Sequence, residues 1–268
     1  MNELFGSSRA ARRITSTLAW LCYLFLLVPS LIVIPISFGN PGQIEFPPRQ
    51  LTLDLYRQFF TDPAWWGSMV QSLLVAVATT LLTLLLAVPA AYALARSRLP
   101  GRRGLQGLFM MPMLVPVIVL GLGLYLQFSS WGLLDTTAGI ILAHIMLTTP
   151  YIMVSVLSGL KHSDIALETV AAIMGASRVT IFFRVVLPQL KAAIAVGALF
   201  AFLMSLDEVV VAYFLTGTQT MTLPVKMFSS IRWELTPVLA AVSTLLTVLS
   251  LLIALGIIAL QRKTEASS

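Results

Sequence analysis

A chain of 268 residues that is 58% hydrophobic and only 10% charged cannot clothe a water-facing surface, because soluble domains carry about a quarter charged residues. Lipid must solvate most of it. The single cysteine, Cys22, and the two widely separated histidines, His144 and His162, exclude an internal disulfide and a Cys/His metal cluster. The net charge of +6 is no nucleic-acid signal, since the basic residues flank apolar stretches.

Crossing the hydrocarbon core takes about 20 apolar residues. Five charge-free windows qualify: Thr15–Ile44, Pro63–Ala95, Gly104–Leu134, Thr136–Leu160 and Leu235–Gln261. A sixth, Ala192–Leu215, is equally apolar apart from Asp207 and Glu208. The first is too long for a signal-peptide core and reads as a retained helix. The fold class is therefore an all-α integral membrane protein with one transmembrane domain. Its spans are predicted at about 15–38, 68–95, 105–128, 138–160, 192–215 and 237–260. Neither an internal repeat nor a low-complexity tract interrupts them.

Charge orients the spans. With the N-terminus inside, the cytoplasmic segments hold Arg9, Arg12, Arg13, Arg96, Arg98, Arg102, Arg103, Lys161, Arg178, Arg184, Lys191, Arg262 and Lys263. Only Arg49, Arg57, Lys226 and Arg232 fall outside. That bias predicts cytoplasmic N- and C-termini. The external segment Asn40–Gly67 carries an aromatic patch, Tyr56, Phe59, Phe60, Trp65 and Trp66, whose Tyr and Trp are expected as an interfacial belt. Prolines within the spans, such as Pro112, Pro116 and Pro150, predict kinks.

The long internal loop, 161–191, holds the most information. Asp164 suits an N-cap, Ile165, Leu167, Val170, Ala171 and Met174 recur at helical spacing, and Gly175 suits a helix stop. A second short amphipathic piece, Ser177–Val186, ends at Leu187–Pro188. Two short helices joined by glycine make a knob suited to a partner's groove. The competing reading is an amphipathic helix lying on the membrane.

Within the sixth window, Asp207 and Glu208 are the costliest residues in the sequence, since a carboxylate near a helix centre costs roughly 2.5–3.5 kcal/mol. On a continuous helix they point about 100° apart. Glu208 then shares a small polar stripe with Gly197, Ala201, Ser205 and Ala212, while Asp207 shares an apolar face with Phe200, Leu203 and Met204. The pair is either scaffold or an anionic site in a solute path.

The loop resembles the cytoplasmic signature of ABC-importer permeases: Glu-Ala-Ala, three residues, Gly, nine residues, Ile, any residue, Leu-Pro. Here nine residues follow Gly175, then Val185, Val186 and Leu187–Pro188. The glutamate position is Thr169, with the acidic residue one earlier at Glu168. The stretch from Ser205 to Pro237 is similar to the smaller permease subunit of spermidine/putrescine-type importers. The resemblance implies the type I importer arrangement in the bacterial inner membrane. It implies a coupling loop containing Glu168, Ala171, Gly175, Ala176, Val185, Leu187 and Pro188. It also implies a solute path with Ser205, Asp207, Glu208 and Tyr213. The implied partners are a second permease chain, two ATPase subunits and an outer solute-binding protein. ATP and Mg would be bound by the ATPase, with no cofactor on this chain. The solute is expected to be a polyamine or, alternatively, another small solute such as an amino-acid derivative. No Gly-x-x-x-x-Gly-Lys-Ser/Thr loop, His-Glu-x-x-His or Gly-x-Ser-x-Gly motif occurs. The chain is thus not expected to be an enzyme, and an ion-coupled secondary transporter is the rival from another class.

Overall fold

A computed structural model of the chain describes residues 9–97 and 100–265, and the regular structure among them is helical throughout. The helices are α1 (Arg9–Ile36), α2 (Asp54–Thr61), α3 (Pro63–Arg96), α4 (Arg102–Leu114), α5 (Val117–Trp131), α6 (Thr137–His162), α7 (Ile165–Ile173), α8 (Arg178–Ile181), α9 (Leu187–Gln189), α10 (Lys191–Leu206), α11 (Val210–Leu215), α12 (Leu223–Trp233) and α13 (Val238–Glu265). Of the residues assigned to the cytoplasmic side, Arg98 lies outside the described residues, as do the side chains of Arg9, Arg12, Arg13, Arg262 and Lys263.

A helix stands at each of the six expected positions. From Ile14, α1 is long and apolar enough to cross a membrane, as are α3 and α6. The third span is not one rod. The α4 and α5 axes meet at 102°, with Val115 extended at the junction. Proline chemistry explains the corner: Pro116 crowds the residue before it out of the helical region, and Val115 adopts φ −81°, ψ 133°. The described side chains of α13 give a shorter apolar run, Val238–Ile253.

The chain divides into two compact units. The first comprises the residues up to Asp62 together with Glu234–Leu249. Its α1 leaves Trp20 and Phe25 exposed, as suits a lipid-facing helix. Beyond α1, the Thr52 N–H donates to Phe38 O (2.6 Å), and the Ser37 and Tyr56 hydroxyls pair at 2.6 Å. Leu55 and Phe59 of α2 are fully buried. The expected belt of Tyr and Trp is corrected in part: Trp65 is an interior residue, and Trp66 is exposed.

The second unit, Pro63–Trp233 with Ser250 onward, is built on α3, α6 and α10 packed together. Small residues allow that approach. A Cβ on Gly159 would stand 2.6 Å from the Ala193 Cβ, and one on Gly197 3.3 Å from the Ile152 Cα. The Ser155 hydroxyl donates across the same seam to Ala193 O at 2.6 Å. Ala91, Ile152, Met153, Val156, Leu190 and Ala201 fill the space between the helices. Between α3 and α6 the Thr83 and Thr148 hydroxyls meet at 3.1 Å, and the Leu223 N–H opening α12 donates to Ser72 Oγ at 2.7 Å. Such polar links replace the hydrophobic drive that lipid-facing helices lack.

Asp135, between α5 and α6, ties two distant loops. Its backbone is left-handed (φ 51°), which Asp tolerates better than most residues. The Asp135 N–H donates to Leu215 O, and its carboxylate accepts from the Gly217 N–H, the Thr220 N–H and the Thr220 hydroxyl. The Thr220 hydroxyl above all, helped by the backbone donors, holds this carboxyl below the usual carboxylate range. A depressed pKa contributes stability above the unfolded-state value that is lost as pH falls through the folded one. Asp135→Asn should therefore lower the melting temperature of the purified protein at neutral pH, and the gap from wild type should close as pH drops below about 4. A gap of constant size across that range would contradict the carboxylate's role.

Candidate translocation site and internal loop

Asp207 and Glu208 do not sit on a continuous helix. The α10 helix stops at Leu206 and α11 begins at Val210, so the expected helical stripe through Glu208 is corrected to a break at residues 207–209. Its physical basis is the side chain of Glu208, whose two oxygens accept from the Val211 N–H (2.8 Å) and the Ala212 N–H (2.7 Å). It thereby takes the place of carbonyls that a continuous helix would have offered. Glu208 is turned inward, with its side chain 9% exposed, whereas Asp207 is exposed: its N–H donates to Leu203 O at 3.0 Å, and its carboxylate makes no hydrogen bond with any described residue.

Ser205 is buried, and its hydroxyl lies 2.8 Å from Nδ1 of His144, a fully buried residue of α6. His144 Nε2 stands 3.7 Å from Glu208 Oε2. His144 was not among the candidates read from the sequence, where it lacks partners at ligand spacing. The available signal was an ionisable residue inside an apolar span. Tyr213 is set apart from this group: it is exposed and packs edge-on against Phe228, ring centres 5.6 Å apart.

His144, Ser205 and Glu208 border a cavity of about 200 Å³ between α4, α6 and the α10–α11 junction. A larger one of about 910 Å³ runs along α6 and α10 to Ser158, His162 and Gln189. Met113 and Tyr151 line both. The two cavities thus follow one another from the internal loop to the broken span.

The internal loop folds as a helix–glycine–helix knob. Asp164 caps α7 by accepting from the Ala166 N–H at 2.8 Å. Gly175 is left-handed (φ 82°), with its N–H on Ala172 O and the Ala176 N–H on Ala171 O, each at 3.0 Å. That pair of bonds is a Schellman stop. Past α8 the backbone widens into a π-turn over Phe182–Val186 before α9, so the expected Ser177–Val186 piece is only partly α-helical. Pro188 offers no N–H to an α-helical ladder there. Ala171, Ala176, Val185 and Leu187 pack onto the core, whereas Ile173 and Met174 are 81% and 82% exposed.

Glu168 anchors this knob. Arg96 donates through Nε to Glu168 Oε1 at 2.9 Å, with Nη2 in ion-pair contact with the same oxygen at 2.8 Å, and the Tyr92 hydroxyl donates to Oε2 at 3.0 Å. Arg96 Nη2 also donates to the Ser163 hydroxyl at 2.8 Å. The acidic residue one place early in the loop pattern thus pairs within the chain.

The sequence profile of the "binding-protein-dependent transport system inner membrane component" family matches residues 83–265. The chain belongs to that family. Among curated relatives, the spermidine/putrescine permease PotC of Haemophilus influenzae is 30% identical over 229 residues, covering 85% of this chain and 89% of its own. The putrescine permease PotI of Escherichia coli K12 is 31% identical, covering 84% and 82%. The molybdate/tungstate permease WtpB of Pyrococcus abyssi is 32% identical, covering 75% and 82%. A bacterial ABC transporter that imports the acidic polysaccharide alginate shares the fold at TM-score 0.78 and 18% identity, over 94% of this chain and 97% of that one. This inner-membrane component is accordingly the permease subunit of an ABC importer rather than an enzyme.

The Arg96–Glu168 link carries a measurable expectation. In a double-mutant cycle with Arg96→Gln and Glu168→Gln, the melting losses should be non-additive, with a coupling of about 1–2 kcal/mol. Simple additivity would show that the pair does not hold the knob.

Proposed function

We propose that this permease imports a polyamine of the putrescine or spermidine kind. It pairs with a second, related permease chain, two ATPase subunits that bind ATP and Mg, and an outer solute-binding protein, with both of its own termini cytoplasmic. The supporting observation is the broken fifth span. It leaves the Asp207 carboxylate exposed and the Glu208 carboxylate beside a cavity, in a protein with no lysine or arginine over 104–160 or 192–225. An uncompensated negative site lowers the barrier for an ammonium group and raises it for an anion. That charge sign weighs against a molybdate-like solute, although WtpB is 32% identical to this chain where PotC and PotI are 30% and 31%.

Ile173, Met174 and Val179 form the exposed apolar tip of the loop, and an ATPase groove is the occupant that fits a knob at the cytoplasmic end of the helices. Closure of the ATPases would then push through Glu168 and Arg96 onto α3, and so onto the packed α6 and α10.

Neutralisation tests the path. Glu208→Gln loses one of two carboxylate acceptors for α11 and should cost both assembly and transport. Asp207→Asn removes only charge, so it is the cleaner variant. Initial putrescine uptake per assembled complex should fall by roughly five- to hundredfold, the equivalent of about 1–3 kcal/mol. Wild-type normalised uptake by both amides would leave the pair as scaffold.

A further inference from the structure

We infer that the cavity between α4, α6 and the α10–α11 junction is a subsite for a primary alkylammonium group, with His144 Nε2 and Glu208 Oε2 as its paired acceptors. It rests on the cation-import function proposed above and assigns to His144 a role in choosing the amine.

The hydrogen bonds set the chemistry of the site. His144 is 1% exposed, and its Nδ1 is held by a hydroxyl rather than an anion, so the ring is neutral. The other nitrogen, Nε2, makes no hydrogen bond with any described residue. At 3.7 Å, Glu208 Oε2 is beyond hydrogen-bond reach. An N–H on Nε2 would be an orphaned buried donor, which folded proteins tolerate less than an under-used acceptor. The proton is therefore assigned to Nδ1, donating to Ser205 Oγ at 2.8 Å, and Nε2 presents a lone pair.

His144 and Glu208 thus border the same cavity, where Nε2 is unbonded and the anionic Oε2, which accepts from the Ala212 N–H, keeps a further lone pair. A primary ammonium supplies three donors and the matching charge, and it can bond both acceptors at once. A tertiary ammonium has one N–H and can satisfy only one of them. A divalent metal is a poorer fit, because no group of three His, Cys, Asp or Glu side chains is gathered among the described residues. Met113, Leu147 and Met204 complete the wall and suit the methylene chain behind the charge. About 200 Å³ leaves room for the head group and part of that chain.

The test uses the complete transporter in proteoliposomes, with putrescine and N,N,N′,N′-tetramethylputrescine as probes and initial uptake normalised to assembled complex. The outer binding protein is common to wild type and variants, so a change in the ratio between probes reports this chain. His144→Leu should lower putrescine uptake about tenfold while changing tetramethylputrescine uptake by less than about twofold. His144→Gln, whose amide oxygen restores an acceptor, should recover part of the preference. Should His144→Leu fail to assemble, His144→Asn, too short to reach the Glu208 side of the cavity, carries the same expectation. Equal losses for both probes, complete loss included, would overturn the subsite while leaving cation import intact. A wild-type complex that carries neither amine would overturn the import function itself.

Discussion

The two hydrogen bonds from the Val211 and Ala212 N–H groups to the Glu208 carboxylate are what the site depends on. In hydrocarbon, a broken helix exposes backbone groups that water cannot satisfy, each at a cost of several kcal/mol. Glu208 meets that demand with charge-assisted bonds, so the break at residues 207–209 becomes a stable feature. Once the break exists, the other properties follow. Asp207 is freed from a helical face, the cavity opens beside His144 and Ser205, and a negative site appears where lysine and arginine are missing.

The same economy holds at the helix–glycine–helix loop. A loop that coupled to an ATPase, as proposed, would be stiff where it meets the membrane helices and apolar where it meets the partner. The Arg96–Glu168–Tyr92 cluster and the Schellman stop at Gly175 supply the first property. Exposed Ile173 and Met174 supply the second. Between the two ends lie α6 and α10, in contact through Gly159, Ser155 and Gly197. Helices packed that closely tend to move as a body rather than flex, which is what the proposed coupling would require between the loop and the broken span.

Features of short range were legible in the sequence. The Asp164 cap and the Gly175 stop follow from residue type and spacing alone, and each has the expected geometry. The corner at Val115–Pro116 was foreshadowed as a kink, although its 102° bend exceeds what one proline implies. The break at residues 207–209 was not legible, because Val209–Leu215 continues the apolar pattern without glycine or proline. What ends the helix is a side chain competing for backbone donors, and hydropathy does not register that competition. His144 and Asp135 escaped for a different reason: their partners lie 61 and more than 80 residues along the chain, and only the packed helices bring them together.

The central claim is that the broken span opens onto a water-accessible cation path. It can be read by labelling a single cysteine at Asp207 in the assembled transporter, after Cys22→Ser removes the one native thiol. With Glu208 still in place, the account predicts that a cationic methanethiosulfonate reacts faster than an anionic one, and that putrescine with the loaded binding protein slows the reaction. A cysteine at 207 that resists both reagents, or that reacts alike with each and gains no protection from putrescine, would contradict it.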